Sequence, residues 1–131
     1  MKMVEVAAAI IECDGKILAT QRGYGTFKDG WEFPGGKLEP GELPIEALVR
    51  EIREELDATI DVERSVCVID YPYDDFCLHM HCYLCHLKDG SFTLLEHEAS
   101  RWLGARELFS VEWLPADIQV IEEIRRQGIA R

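Results

Sequence analysis

Val4 to Ile11 is an apolar run broken only by Glu5, and Asp14-Gly15 ends it. The run predicts a strand over Met3–Glu12, and the Asp-Gly pair a tight turn into a second strand, Lys16–Thr20. A loop over Gly23–Gly30 follows. Trp31–Phe33 reads as a short extended piece ending at the Pro34-Gly35-Gly36 turn. The period then changes. Ile45, Leu48, Val49, Ile52 and Leu56 recur at helical spacing and predict a helix over Leu43–Leu56. Pro44 suits its first turn, where the missing N–H costs little. Beyond Asp57, strands are expected at Thr59–Val62, Ser65–Tyr71, Phe76–Leu87 and Glu98–Leu103. Lys88-Asp89-Gly90 is a turn, and Ala105–Phe109 a short helical turn. Pro115–Gln127 predicts a second helix, partly amphipathic through Ile118, Ile121, Glu122 and Ile124. Strands around two well-separated helices predict an α/β (α+β) sandwich on a mixed sheet. No repeat or linker interrupts the pattern, so 1–131 reads as a single domain.

Composition narrows the function. The chain has 131 residues, 47% hydrophobic and 30% charged, as in an ordinary globular protein. A formal net charge of -11 repels a phosphate backbone, which argues against nucleic-acid partners. No apolar run reaches the roughly 18 residues of a membrane span, so no membrane partner is expected. With Cys 5, an odd number at irregular spacing, the chain does not resemble a disulfide framework, and a cytoplasmic setting is the simplest expectation. His79 to His86 holds Cys82 and Cys85 among three histidines, a composition that suits zinc. Alternation sends the two cysteines to opposite faces of a strand, and no second ligand pair follows. The segment reads as a buried strand.

The candidate chemistry lies between Gly35 and Ala58. Taking ~100° per residue, Glu51, Glu54 and Glu55 form a stripe beside the apolar face of the first helix. Like charges one turn apart cost a few tenths of a kcal/mol per pair. Two readings follow: a solvated face paired with Arg50 and Arg53, or a site for a hard divalent cation, which takes oxygen ligands.

The residues ahead of the helix decide between them. Gly36, Glu42 and then Arg50-Glu51-Ile52-Arg53-Glu54-Glu55 carry the spacing of the Nudix box, and the chain resembles the Nudix hydrolases, specifically small MutT-like members. One fixed position departs from the pattern: Asp57 stands where the box has glycine. Asp tolerates the left-handed conformation expected there better than most residues. Weaker likenesses extend over the opening strand, the WEFPGGK turn, Glu96-His97 and the late LPAD segment.

The resemblance implies a Nudix-type α/β/α sandwich and hydrolysis of nucleoside triphosphates, of oxidised guanine, dGTP or CTP type, to monophosphate and pyrophosphate. It implies Mg²⁺ or Mn²⁺ held by Glu51, Glu54, Glu55, the Gly35 carbonyl and Glu96, with Glu98 as the alternative in a shifted register. Glu51 or a neighbouring glutamate is the implied general base, and Arg50, with Glu42, holds the carboxylates. Arg22 and Lys37 are candidate phosphate contacts. Phe33 is a candidate stacking wall and Asp117 a base-reading group, although Asp117 equally suits the favourable first turn of a helix. A monomer or homodimer is expected. Two other outcomes stay open: a non-catalytic Nudix nucleotide-binding module, and a hydrolase for ADP-ribose or dinucleoside polyphosphates. The latter fits less well, because the chain has little room for the N-terminal extension such members often carry.

Overall fold

The computed structural model describes residues 2–131. β1 (Lys2–Cys13) runs through the middle of the molecule. It turns at Asp14-Gly15, both with positive φ, into β2 (Lys16–Arg22). Positive φ at both central residues is the hairpin turn that Asp-Gly favours. β3 (Trp31–Glu32) pairs with β2. The expected Gly35-Gly36 turn is instead a strand, β4 (Gly35–Lys37), paired antiparallel to β1. Gly35 sits at φ 154, and a Cβ there would lie 2.0 Å from the Ala7 carbonyl oxygen. Only glycine permits that approach.

α1 (Pro44–Leu56) begins one residue later than expected, with Leu43 as its N-cap and Glu46 accepting a hydrogen bond from Leu43 N at 2.8 Å. The two strands expected at Thr59–Val62 and Ser65–Tyr71 are one, β5 (Ile60–Pro72). Irregularities at Val62/Arg64 and Ser65/Cys67 break its alternation, which is why it reads as two pieces. β6 (Phe76–Leu87) pairs with β5 and lies parallel to β1. β7 (His97–Leu103) pairs with β2. A single 3₁₀ turn at Ala105–Glu107 precedes α2 (Pro115–Gln127).

The sheet is mixed, with strand order β3-β2-β1-β6-β5, β4 on β1 and β7 on β2. Each face carries a helix. Ala7, Ala9 and Ile11 of β1 pack with Leu48, Ile52 and Leu56 of α1. Ala8 and Ile10 pack with Val120, Ile121 and Ile124 of α2. Burial on both faces explains the continuous apolar run Val6–Ile11 of β1. Burial of Leu48, Ile52 and Leu56 contributes about 1.5–3 kcal/mol each. Ile45 and Ile118 stand outside the core, exposed, and Ala47 and Val120 take the buried places. The stripe on α2 is therefore Ala116, Asp117, Val120, Ile121 and Ile124, and it includes an acid. Cys82 and Cys85 join opposite core layers, as a strand requires. Among the described residues no helix is long and apolar enough to cross a membrane.

Candidate active site

β4 and α1 build one end of the site. Gly36 has no side chain, and a Cβ there would fall 2.4 Å from the carboxyl carbon of Glu51. The missing Cβ is the space that Glu51 fills. One turn on, Glu55 Oε1 accepts a hydrogen bond from Gly35 N at 3.2 Å. Burial pushes the Glu55 carboxyl up to about 8, the charge of Glu51 adds to this, and the single backbone hydrogen bond offsets only part of it. Burial likewise raises Glu51, against the opposing pull of Arg50. Glu96, just ahead of β7, adds negative charge to both.

The three box glutamates are not equivalent. The Glu51 side chain is 17% exposed and that of Glu54 is 55% exposed. Arg50 donates to four carboxylate oxygens: Nε and one amino nitrogen grip Glu42 at 2.7 and 2.9 Å, and the other amino nitrogen donates to Glu51 at 2.8 Å and Glu54 at 3.3 Å. It also donates to the Lys37 carbonyl at 3.1 Å, tying α1 to the end of β4. The fork on Glu42 holds that carboxyl down at about 2. Arg50 thus neutralises Glu42 and steadies Glu51 while leaving Glu55 without a cation.

A cleft of about 760 Å³ opens beside these carboxylates. That is within the usual range for a small-molecule site, about 300–1,000 Å³. Glu55, Glu96, Gly35 and Lys37 line its acidic end, and Val4, Val6, Phe76 and Leu78 its apolar floor. Arg22 and Glu32 stand between, paired at 2.6 Å. Burial favours the neutral form of Glu32, but hydrogen bonds with His97 and Arg22 outweigh it and hold the carboxyl below its usual range. The Lys37 side chain has no ion-pair partner among the described residues. Glu96 accepts a hydrogen bond from the Tyr24 hydroxyl at 2.9 Å, whereas Glu98 lies near Lys28 at 3.7 Å. Glu96, not Glu98, lines the cleft.

A smaller inner cavity continues toward α2, lined by Phe33, Met80, Leu114 and Asp117. Phe33 is 4% exposed and stacked on Trp113 at 4.8 Å between centroids. Asp117 is buried and accepts a hydrogen bond from Phe33 N at 3.2 Å. Burial pushes its carboxyl up to about 8. Its place in the first turn of α2 should favour the anion, so burial outweighs the helix dipole.

Sequence reasoning missed Glu32, His97 and the aromatic group Phe27, Tyr73 and Phe76. Phe27 and Tyr73 lie 5.5 Å apart, and Tyr73 and Phe76 stack at 5.1 Å. They line the cleft and inner cavity from loops and a strand end. The alternation of Trp31-Glu32-Phe33, with one acid between two large aromatics, was the available signal for Glu32.

The oxygen-only donors, the space at Gly36 and the uncompensated Glu55 suit a hard divalent cation. The NUDIX domain family matches residues 1–126, and the chain belongs to the Nudix hydrolases. It is 41% identical to the CTP pyrophosphohydrolase of Escherichia coli K12, over 100% of this chain and 98% of that protein. It is 29% identical to the 8-oxo-dGTP diphosphatase of the same organism, over 96% and 99%. The solution structure of the E. coli ORF135 protein superposes with a TM-score of 0.83 at 41% identity, covering 96% of this chain and 91% of that one. The protein is accordingly a hydrolase of a family that depends on divalent metal.

Proposed function

We propose that the chain hydrolyses nucleoside triphosphates, of CTP, dGTP or 8-oxo-dGTP type, to nucleoside monophosphate and pyrophosphate with Mg²⁺ or Mn²⁺. The observation that carries this reading is one cleft with an acidic end at Glu55 and Glu96, backed by the charge of Glu51 on Glu55, and an apolar end at Phe76 and Leu78. A triphosphate and a base have the same division. The relatives named above act on such nucleotides by name, which supports the substrate class.

Glu51, Glu54, Glu55, Glu96 and the Gly35 carbonyl are the oxygen donors for the metal. When bound, the ion neutralises phosphate oxygens and makes water a better nucleophile. Water attacks a phosphorus, the anhydride bond to pyrophosphate breaks, and Glu51 or a neighbouring glutamate takes the proton. Arg50 holds Glu51 in place. Lys37 and Arg22 meet the phosphate chain. Phe33 walls the base pocket, and Asp117, neutral at pH 7 by its burial, offers the base a donor as well as an acceptor.

Incubation with Mg²⁺ and a panel of normal and oxidised triphosphates tests the reading, with pyrophosphate as the readout and kcat/KM ranking the bases. Absence of turnover on every nucleotide, with binding retained, would leave a nucleotide-binding module instead. Preferential cleavage of ADP-ribose or a dinucleoside polyphosphate would overturn the substrate class.

A further inference from the structure

His79 and His81 of β6 point to the α1 side of the sheet, beyond the end of the core, where Glu5 of the neighbouring β1 meets them. The parallel register sets Glu5 directly opposite His79. One oxygen of Glu5 lies 3.1 Å from His81 Nε2 and 3.6 Å from His79 Nε2. One ligand atom from each of the three side chains falls within 4.8 Å of the others. The imidazoles stand edge to face, 4.8 Å between centroids.

Asp70 of β5 is the cross-strand partner of His79 on the other side, and its Oδ1 lies 2.5 Å from His79 Nδ1. A carboxylate accepting from Nδ1–H fixes the tautomer that leaves Nε2 free, the usual support for a histidine that binds metal. His86 shows what this arrangement is not. It lies between Glu12 and Glu63, with both ring nitrogens facing carboxylates and no second imidazole.

We propose that Glu5, His79 and His81 form a binding site for a first-row transition ion of zinc type, separate from the carboxylate site on α1, with Asp70 as its positioning residue. Two imidazoles and one carboxylate suit Zn²⁺, while Mg²⁺ prefers oxygen donors throughout. Three protein ligands leave a fourth position to water. The ion ties β1 to β6. Their alternate residues, Val4, Val6 and Leu78, form the floor of the nucleotide cleft on the opposite face.

Co²⁺ serves as a visible probe, titrated into the metal-stripped full chain in excess Mg²⁺ so that the α1 carboxylates are already occupied. The proposal expects one equivalent to bind, with visible ligand-field absorption and paramagnetic shifts of the His79 and His81 ring signals. Zn²⁺ should displace it and raise the thermal midpoint. His79→Ala, His81→Ala and Glu5→Gln should each lose the spectrum yet keep Mg²⁺-dependent turnover, which reports that they are folded. Glu55→Gln should keep the spectrum. Asp70→Asn should weaken binding by about 10–100-fold and alter the His79 tautomer seen by ¹⁵N shifts. No saturable Co²⁺ or Zn²⁺ binding, or binding unchanged in the double variant His79→Ala/His81→Ala, overturns the site and leaves a hydrogen-bonded cluster only.

Discussion

The two helices have the same frame and opposite chemistry. Each runs 13 residues, opens on a proline, packs one face of the sheet and ends on a left-handed residue. α1 brings Glu55 to the cleft from its last turn, with Glu51 one turn behind it, and α2 brings Asp117 to the inner cavity from its first. The helix dipole disfavours Glu55 and favours Asp117 as anions, yet both carboxyls are pushed up to about 8. Burial comes first in both. What differs is the company: Glu55 faces Glu51 and Glu96, whereas Asp117 is held by the Phe33 amide and its acidic neighbour Glu32 is already paired with Arg22. Crowded acids with no cation of their own suit a metal ion, while a buried acid whose one acidic neighbour is already paired is served equally well by a proton. The same upward displacement therefore has a different use at each end of the cleft.

The largest effect should come from breaking the crowded end. Glu55→Gln keeps the Gly35 hydrogen bond and removes the anion, and kcat should fall by at least about 10²-fold. Pyrophosphate release under saturating Mg²⁺ measures it, and full activity in this variant would remove Glu55 from the chemistry. Arg50→Ala comes next. It leaves Glu42 and Glu51 without their shared partner and should cost about 2 kcal/mol in denaturant unfolding, as loss of a hydrogen bond to a charged group does. It should also lower kcat, because Glu51 is no longer held. Arg50→Lys should recover part of the stability but not the fork on Glu42.

The pH dependence separates the two acids. For each, the folded chain keeps a proton that the unfolded chain releases above pH ~4. Their contribution to stability is therefore full below that pH and is lost as pH rises through about 8. Asp117→Asn should flatten the Asp117 share of this slope. Mg²⁺ should remove the share due to Glu55, by replacing its proton, and leave that of Asp117. Unfolding curves at several pH values, with and without Mg²⁺, check both. A slope in Asp117→Asn unchanged from wild type would show that Asp117 ionises freely in the fold.

The α1 end was legible because its signal is local. Gly36, Glu42, Arg50, Glu51, Glu54 and Glu55 lie within a few turns of chain, and helical spacing alone places them on one side. What it did not reveal is that Arg50 draws Glu54 outward while Glu55 sinks. The α2 end was less legible. Ile118 looked like core, and the true stripe through Ala116, Val120 and Ile121 includes Asp117. Glu32 and His97 meet only because β2 pairs with β7, with a shift between Gln21 and Arg22. Alternation put His79 and His81 on one face. That Glu5 stands beside them depends on the parallel pairing of β1 with β6, which no short-range pattern encodes.

The smallest expected effect lies at the ends of the two helices. Both C-caps are left-handed: Asp57 at φ 47, ψ 46 on α1, and Gly128 at φ 66, ψ 31 on α2. Glycine takes this conformation without a Cβ clash, whereas an ordinary residue pays about 1–2 kcal/mol, and Asp somewhat less because its short polar side chain tolerates it. Asp57→Gly removes that strain but adds freedom to the unfolded chain, about 0.5–1 kcal/mol in the opposite sense. The net should be a gain below about 1 kcal/mol, read as a small rise in the denaturation midpoint with an unchanged m-value. Asp57 contributes no group to the cleft, so kcat should hold. The reciprocal variant, Gly128→Asp, should lose a similar amount, since no Cβ contact obstructs it and only the backbone conformation is strained. If Asp57→Gly changed kcat instead of stability, the end of α1 would belong to the active site, and the parallel between the two helix ends would fail.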